Sequence, residues 1–210
     1  MKKLIFVTSS LFFISLHLFA QDEPEVLIGN NIRNISGFGG FTMELSGINH
    51  DVAISTGGSG AVLLNQVFFF GGYGMRNHSE VDYLNNLDQS RAANLDFHHG
   101  GLWTGYIFKP NKLVHLNVSS KFGWGYIHVN DKINPEDVVV RDNVFTVTPQ
   151  VEGEINIAYW MRINAALGYR YVNGINNPYF NGNDFSSPTF SVSFLFGWFK
   201  NYDFPIDINF

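Results

Sequence analysis

The chain has 210 residues and no cysteine, and its 13 lysine and arginine side chains are outnumbered by 18 aspartate and glutamate side chains. Charged residues make up 15% of it and aromatic residues 16%, whereas about 25% of the residues in an ordinary soluble domain are charged. The acidic balance argues against nucleic acid as a partner, and the lack of cysteine excludes a disulfide framework.

Residues 1–20 begin with Lys2 and Lys3, continue as an apolar run and end at Ala20. A basic start, a short apolar run and a small residue at its end are typical of a cleaved signal peptide. A buried N-terminal helix is the alternative interpretation. Cleavage would remove two lysines and leave 11 basic against 18 acidic side chains, a formal charge of −7. Beyond Ala20, no apolar run reaches the length of about 18 residues that a membrane-spanning helix needs.

The first half of the remaining sequence predicts four strands with irregular patterns. In ISGFGGFTMELSGI, Phe41, Met43 and Leu45 alternate with polar residues, and a short return strand runs through Val52 and Ile54. The third and fourth strands, in NQVFFFGGYG and LDFHHGGLWTGYIF, carry apolar residues and glycines at both alternating sets of positions. The faces of these two strands therefore cannot be assigned from the sequence.

The second half predicts four long strands in which apolar and polar residues alternate. Alternation over ten or more residues indicates a strand with one apolar face. The apolar sets of the four strands are Val114, Leu116, Val118, Phe122, Trp124 and Tyr126; Phe145, Val147, Val151, Ile155 and Ile157; Met161, Ile163, Leu167, Tyr169 and Tyr171; and Phe190, Val192, Phe194, Phe196 and Trp198.

The length of these strands favours a membrane protein. Strands of globular proteins usually have about five or six residues, whereas about nine to eleven tilted residues cross a bilayer. Aromatic rings stand at the ends of the apolar faces, as in the aromatic girdle that lies at a membrane interface. The predicted girdle consists of Trp124, Tyr126, Tyr169, Tyr171 and Trp198.

The connections between the strands predict two kinds of link. Short turns are expected at residues 57–60, at residues 109–112 and around Tyr159. Longer links rich in Asn, Asp and Gly are expected at residues 75–94, 130–142 and 173–187, and a short link near residues 47–50 departs from the alternation. Short turns at one end of a barrel and longer loops at the other are typical of outer-membrane barrels.

The signal peptide, the eight amphipathic strands, the alternating links and the final strand SPTFSVSFLFGWF together resemble the small outer-membrane barrels of the outer membrane protein X and OmpA-barrel type. Strands rich in glycine and aromatic residues, with a QD start after the signal, are similar to barrels of Bacteroidota. The resemblance implies an all-β chain that forms a closed, up-and-down antiparallel barrel of eight transmembrane strands. It also implies a signal peptide at 1–20, an N-terminal periplasmic segment at 21–35, an outer-membrane barrel at 36–199 and a C-terminal tail at 200–210.

In such a barrel the polar and apolar faces have fixed directions. Lipid cannot hydrogen-bond an open sheet edge, so the sheet must close, with Val151 and Ile155 outward and Glu152 and Glu154 inward. A one-residue slip would turn basic side chains such as Lys121 into lipid, at up to about 2 to 4 kcal/mol each. A soluble lipocalin-like barrel is the competing fold, but its outer surface would carry too little charge.

The inward polar side chains predict a filled lumen, because eight strands enclose only enough space for side chains. With the turn centred near Tyr159, Arg162 lies opposite Asn156 and diagonal to Glu154. A structural network of salt bridges is the first interpretation, and an acid–base pair or a narrow proton or ion path is the alternative. The expected lumen network is Glu44, His115, Lys121, Gln150, Glu152, Glu154, Arg162 and Arg170.

No catalytic residue, metal ligand or cofactor is expected. His98 and His99 adjoin Asp96, but neighbours in a strand point to opposite faces, so these histidines cannot bind one ion together. A surface metal site that adds His78 and Asp82 from the preceding link is the weaker alternative.

The predicted function is a structural or surface-interaction role, with the three long loops outside the cell, because binding residues often lie on loops of a rigid scaffold. An outer-membrane enzyme or a narrow channel that uses the inward Glu and Arg residues is the alternative. Outer-membrane lipid and the barrel-assembly machinery are the expected partners. Two prolines add local predictions: Pro149 implies a bulge or an unmade ladder bond, and Pro205 implies an edge strand or a tail.

Overall fold

The computed structural model of the chain describes residues 32, 34–49, 51–84, 90–131 and 138–199, without the side chains of residues 78, 81–84, 90–92 and 138–139. The chain divides into two units, residues 1–32 and 33–210, and the strands belong to the second. The predicted signal peptide, the C-terminal tail and nearly all of the N-terminal segment lie outside the described residues. Within the described part of the chain, no helix is long and apolar enough to cross a membrane.

Eight antiparallel strands form the fold, and each one pairs with the strand that follows it. The eighth strand also pairs with the first, so the sheet closes into a barrel, as the sequence predicted. The strands are β1 (Ile35–Ile48), β2 (Asp51–Leu64), β3 (Phe68–Leu84), β4 (Ser90–Phe108), β5 (Val114–Asp131), β6 (Val138–Ala158), β7 (Met161–Asn173) and β8 (Ser187–Gly197), and one short helix, α1 (Gly182–Phe185), precedes β8.

The two ends of the barrel differ in their connections. The turn end holds residues 65–67, 109–113 and 159–160, and the predicted turns at 109–112 and around Tyr159 are confirmed there. The loop end holds the links between β1 and β2, β3 and β4, β5 and β6, and β7 and β8. The short link near residues 47–50 is confirmed, and its last residue lies outside the described part.

The turn predicted at residues 57–60 is wrong, because these residues lie in the middle of β2. They face the glycines of β3, and the pairs Gly58–Gly74 and Gly60–Gly72 bring the two backbones together without side chains. A Cβ atom on Gly57 would lie 2.0 Å from the carbonyl oxygen of Gly74. The glycine run therefore permits a close approach of two strands, a role that glycine also has in strand interiors.

The predicted loop at residues 75–94 is also wrong, since β3 continues to Leu84 and β4 begins at Ser90. The loop predicted at 130–142 is too long, because strand structure includes Asp131 and resumes at Val138. The link predicted at 173–187 is correct and consists of residues 174–186, including α1. Polar residues misled the prediction because the extended hairpins continue as strands beyond the last rows of β2 and β7, where polar strand residues are tolerated.

Pro149 interrupts a ladder without a bulge. Val147 pairs with Tyr171 and Gln150 with Gly168, so the register between β6 and β7 is the same on both sides of the proline. No pair with β7 forms at Pro149 itself, because proline lacks the N–H group that a ladder bond needs. Of the two predicted outcomes, the unmade ladder bond is therefore the one observed.

The barrel wall separates two sets of side chains. Val151, Ile155 and Ile157 are exposed on the outside, while Glu152 and Glu154 are buried inside. The faces of β3 and β4, which the sequence left unassigned, are apolar on both sides. Phe69, Tyr73, Trp103 and Ile107 point inward, and Phe70, Leu102, Tyr106 and Phe108 point outward.

Apolar side chains fill both ends of the interior. The turn-end cluster consists of Phe38, Ala61, Leu63, Phe69, Tyr73, Met75, Trp103, Ile107, Leu195 and Phe199. The loop-end cluster consists of Ile48, Ala53, Ala93, Leu95, Phe97, Ile127, Val129, Val140, Val144, Val172, Phe180 and Phe185.

Candidate functional site

All eight residues of the expected lumen network are buried inside the barrel. Three are glutamates and three are lysine or arginine, so the permanent charges of this set balance. The structure brings five of them together on β5, β6 and β7: His115, Lys121, Glu152, Glu154 and Arg162. Glu44 and Arg170 form a second group nearer the loop end.

Glu154 is the centre of the first group. Its Oε1 atom accepts a hydrogen bond of 2.8 Å from Nη1 of Arg162 and lies 2.9 Å from Nε2 of His115. Its Oε2 atom accepts hydrogen bonds from the amides of Asn117, at 3.1 Å, and Asn164, at 3.4 Å. The second nitrogen of His115, Nδ1, lies 3.2 Å from the carbonyl oxygen of Lys112. Both ring nitrogens thus face acceptors, an arrangement that the doubly protonated imidazolium satisfies.

Glu152 lies on the same face of β6, two residues away. The hydroxyl of Ser119 and the amide of Asn164 both donate to its carboxylate. Asn164 therefore joins the two glutamates, and Trp103 joins them to the turn-end cluster by donating from Nε1 to Ser119 at 3.3 Å. The ammonium group of Lys121 lies 5.6 Å from the centre of the Tyr73 ring, within the range of a cation–π contact.

Arg170 connects the barrel wall to the link between β7 and β8. Its guanidinium donates to Oε1 of Glu44 at 3.3 Å and to the hydroxyl of Ser46 at 3.1 Å. It also donates to two backbone carbonyls, Gly47 and Phe185, each at 3.1 Å. Because the Phe185 carbonyl belongs to α1, this single side chain attaches the link to β1 and β7.

Residues 174–186, here called the lid, fold back over the loop end of the lumen. Phe180 and Phe185 from the lid are buried in the loop-end cluster. Asn181 caps α1 by accepting from the backbone of Asn183, and Asp184 returns a bond to the backbone of Asn181, which is a capping box. The backbone N–H of Asn49 donates to the Asp184 carbonyl at 2.6 Å. The lid therefore closes the lumen instead of projecting freely from it.

The polar network lies between the two apolar clusters, an arrangement that the sequence did not predict. In β3 and β4 the outer face is apolar as well, so no alternation marks which residues point inward. Only the lack of alternation in those two strands signalled that both of their faces are covered by apolar material. Gln150, the remaining member of the expected network, has no partner for its Nε2 atom among the described residues.

The five rings of the expected girdle are all exposed on the outer wall. Trp124, Tyr126, Tyr169 and Tyr171 lie in the parts of β5 and β7 nearer the loop end, whereas Trp198 follows β8 at the turn end. Further exposed rings that the sequence did not single out accompany Trp198 at the turn end: Tyr106, Phe108, Tyr159 and Trp160. Exposed rings thus occur toward both ends of the outer wall.

The two adjacent histidines point to opposite faces of β4. His99 is buried inside, with Nδ1 lying 3.1 Å from the Tyr73 hydroxyl. His98 lies on the outside, stacks on the ring of Tyr126 and has Nε2 3.9 Å from Asp96. The side chains of His78 and of Asp82 are outside the described part, and the residues that are described contain no group of three or more potential ligands that could hold a metal ion.

A four-stranded sheet extends beyond the rest of the barrel at the loop end. The last pair between β2 and β3 is Ser55–Asn77, yet β3 continues to pair with β4 as far as Leu84. On the other side, β6 and β7 pair last at Phe145–Asn173. Residues 78–84 with 90–96, and 125–131 with 138–144, form what we call the protruding sheet.

The protruding sheet has two edges that differ in cover. The β6 edge is covered by the lid, because Asp142 accepts from the backbone of Asn176 at 3.1 Å and from the side chain of Asn177 at 2.7 Å. No described strand pairs with the other side of residues 78–84 in β3. At about 3.4 Å per residue this edge is about 24 Å long.

The fold is similar to three solved barrels. The N-terminal β-barrel domain of Pseudomonas aeruginosa OprF shares 15% identity, with a TM-score of 0.51, over 79% of this chain and 98% of that one. Ail, the attachment invasion locus protein of Yersinia pestis, in complex with the heparin analogue sucrose octasulfate, shares 11%, with a TM-score of 0.50, over 78% and 97%. Neisserial surface protein A shares 12%, with a TM-score of 0.48, over 79% and 97%.

These neighbours are small eight-stranded outer-membrane barrels, and the chain has the closed eight-stranded fold that they share. No protein-family model matches the sequence. No curated protein matches it either.

Proposed function

We propose that the protein is an outer-membrane barrel whose loop end faces the outside of the cell and whose protruding sheet binds an extended segment of another protein. The membrane location is supported by the closed sheet, by the exposed apolar wall and by the exposed rings toward both of its ends, which are features of transmembrane barrels. The orientation is supported by the short turns at one end and the long hairpins at the other.

The observation that carries the binding role is the open edge of β3. A strand edge presents N–H and C=O groups that can pair with an added strand, and proteins usually cover or shorten such edges. Here the β6 edge is covered by the lid, while residues 78–84 continue beyond Ser55 without a strand beside them among those described. Addition of a strand to an exposed sheet edge is an established mode of peptide recognition.

The interior serves a structural role in this proposal. Glu154 and Arg162 form a hydrogen-bonded ion pair whose side chains are at most 3% exposed, and apolar clusters lie on both sides of the network. A filled eight-stranded lumen holds the wall rigid, so that the protruding sheet keeps a fixed shape outside the membrane.

The orientation can be tested with single cysteines, since the chain has none. In intact cells a membrane-impermeant maleimide should label a cysteine replacing Ser79, in the protruding sheet, and should label one replacing Asn111, in a turn-end link, only after the outer membrane is permeabilised. The opposite pattern would reverse the orientation.

Partner binding can be tested with a photoreactive amino acid at Ser79, beside the open edge, and at Arg141, beside the covered one. Adducts with another protein are expected from position 79 and not from position 141. A matched pair of shortened barrels provides the control. Replacing residues 80–94 by Asn-Gly joins the pair Ser79–Leu95 and should abolish the binding of that partner, whereas replacing residues 130–139 by Asn-Gly joins the pair Val129–Val140 and should preserve it.

A further inference from the structure

A cleft of about 730 Å³ lies at the turn end of the barrel, between the β4–β5 and β6–β7 turns. We call it the turn-end cleft. Its walls include the exposed apolar side chains of Leu113, Ile157, Tyr159 and Trp160, and Phe199 and Arg162 also line it. Neither the lumen network nor the protruding sheet uses this cleft.

Arg162 gives the cleft an unmatched donor. Its Nη1 atom bonds Glu154, and its guanidinium carbon lies 4.0 Å from the centre of the Phe199 ring. Its Nε atom is buried and has no hydrogen-bond partner in the described part of the chain. A buried donor without a partner is costly, so the cleft suits an occupant that brings an acceptor. Two exposed lysines, Lys109 and Lys112, lie in the turn beside it.

The end of the described chain already runs toward this cleft. Beyond β8, the backbone N–H of Trp198 donates to the Gly37 carbonyl at 3.1 Å, and the N–H of Phe199 donates to the Tyr159 carbonyl at 3.1 Å. The chain thus passes from β1 onto the β6–β7 turn, which is one wall of the cleft. Because β8 pairs with both β7 and β1, the barrel has no position for a ninth strand.

The sequence that follows has the chemistry that the cleft requires. In residues 201–210, the apolar residues Tyr202, Phe204, Ile206, Ile208 and Phe210 occur at every second position. Asp203 and Asp207 lie between them. An extended segment with this pattern has one apolar face and one acidic face, which match the apolar walls and the basic groups of the cleft.

We propose that residues 201–210 occupy the turn-end cleft of their own barrel, with the apolar residues against Trp160 and Leu113 and with Asp203 and Asp207 beside Arg162, Lys109 and Lys112. Ten extended residues reach at most about 33 to 36 Å, a span sufficient to cross a cleft of this size. The segment thereby closes the turn end of the lumen, as the lid closes the loop end.

The lack of cysteine permits a direct test by crosslinking of the full chain in detergent. A barrel with cysteines replacing Asn111 and Ile206 should form an intramolecular crosslink with a short bismaleimide. The yield should be at least tenfold higher than that of a control barrel with cysteines replacing Asn176, in the lid, and Ile206. Equal yields from the two barrels, or a crosslink between two barrels in place of an internal one, would overturn the proposal.

A charge exchange tests the same contact in chains that keep the segment. Asp203→Lys with Asp207→Lys should lower the crosslink yield between positions 111 and 206 several-fold, and the added changes Lys109→Glu and Lys112→Glu should restore it. Deletion of residues 201–210 should leave a heat-modifiable, membrane-inserted barrel, because the strands are complete without them. It should also raise the reactivity of a cysteine replacing Leu113 toward a water-soluble maleimide several-fold, with no change for one replacing Asn183. An unaltered yield after charge reversal contradicts the proposal.

Discussion

Arg162 donates a hydrogen bond of 2.8 Å to Glu154 across the β6–β7 hairpin, and both side chains are almost completely buried. Arg162 lies directly opposite Asn156 in the register, so the contact with Glu154 is diagonal. Diagonal neighbours in antiparallel strands lie within the reach of long side chains. The pair therefore depends on the position of the turn at residues 159–160, and a slipped turn would separate it.

Replacement of Glu154 by glutamine is expected to destabilise the barrel. The change removes the negative charge that Arg162 and His115 face, and breaking a buried ion pair by neutralising one partner costs about 3 to 5 kcal/mol. The midpoint of urea unfolding in detergent should fall accordingly. An unchanged midpoint with an altered ion conductance would instead favour the narrow-channel alternative.

Two further variants separate the ion pair from a general effect of lost charge. Glu80→Gln makes the same chemical change at an exposed position, where an ion pair contributes about 0 to 1 kcal/mol, so little change in the midpoint is expected. The double variant Glu154→Gln with Arg162→Gln should lose less stability than the two single variants added together, because the two side chains are in contact.

Gly57→Ala is expected to destabilise the barrel more than Gly74→Ala. A Cβ atom at Gly57 would lie 2.0 Å from the Gly74 carbonyl oxygen, whereas one at Gly74 would meet no atom within 4 Å. Overpacking typically costs about 1 to 3 kcal/mol, so the unfolding midpoint should fall for the first variant and stay near that of the parent for the second. Equal effects would mean that β2 and β3 are not as close as the structure places them.

Phe185→Ala is expected to release the lid. Phe185 is fully buried in the loop-end cluster, and removal of such a ring leaves a cavity that costs about 3 to 5 kcal/mol. Protease cleavage within residues 174–186 should therefore become faster. Phe190→Ala is the matched control, because Phe190 is exposed on the outer wall and its loss should leave the cleavage rate unchanged.

Cysteine scanning from Phe145 to Ile157 should show reactivity that alternates with every residue. In membranes, a lipid-soluble maleimide is expected to react quickly at positions 151, 155 and 157, which lie on the outer wall, and slowly at 152 and 154, which are buried. Because the β6–β7 register is the same on both sides of Pro149, the alternation should pass through position 149 without a change of phase. Fast labelling at 152 and 154 with protection at 155 would show that the apolar face is a soluble core.

The sequence alone determined the fold class and the direction of the second-half strands. In β5 to β8, apolar residues alternate with polar ones over the full strand, and a period of two can only be satisfied by one apolar and one polar face. The pairing of Arg162 with Asn156 also followed from the sequence, because a tight turn fixes the register of its hairpin. These inferences are local, and each needs only neighbouring residues.

Other features were decided by the tertiary structure. The sequence of β2 placed a turn at residues 57–60, because glycine permits both a turn and a close approach of two strands, and only the glycines of β3 across the ladder select the second. The inward faces of β3 and β4 were hidden because apolar side chains cover both sides of these strands. The contacts of Arg170 with the lid join residues that are distant in the sequence, and closure of the barrel brings them together.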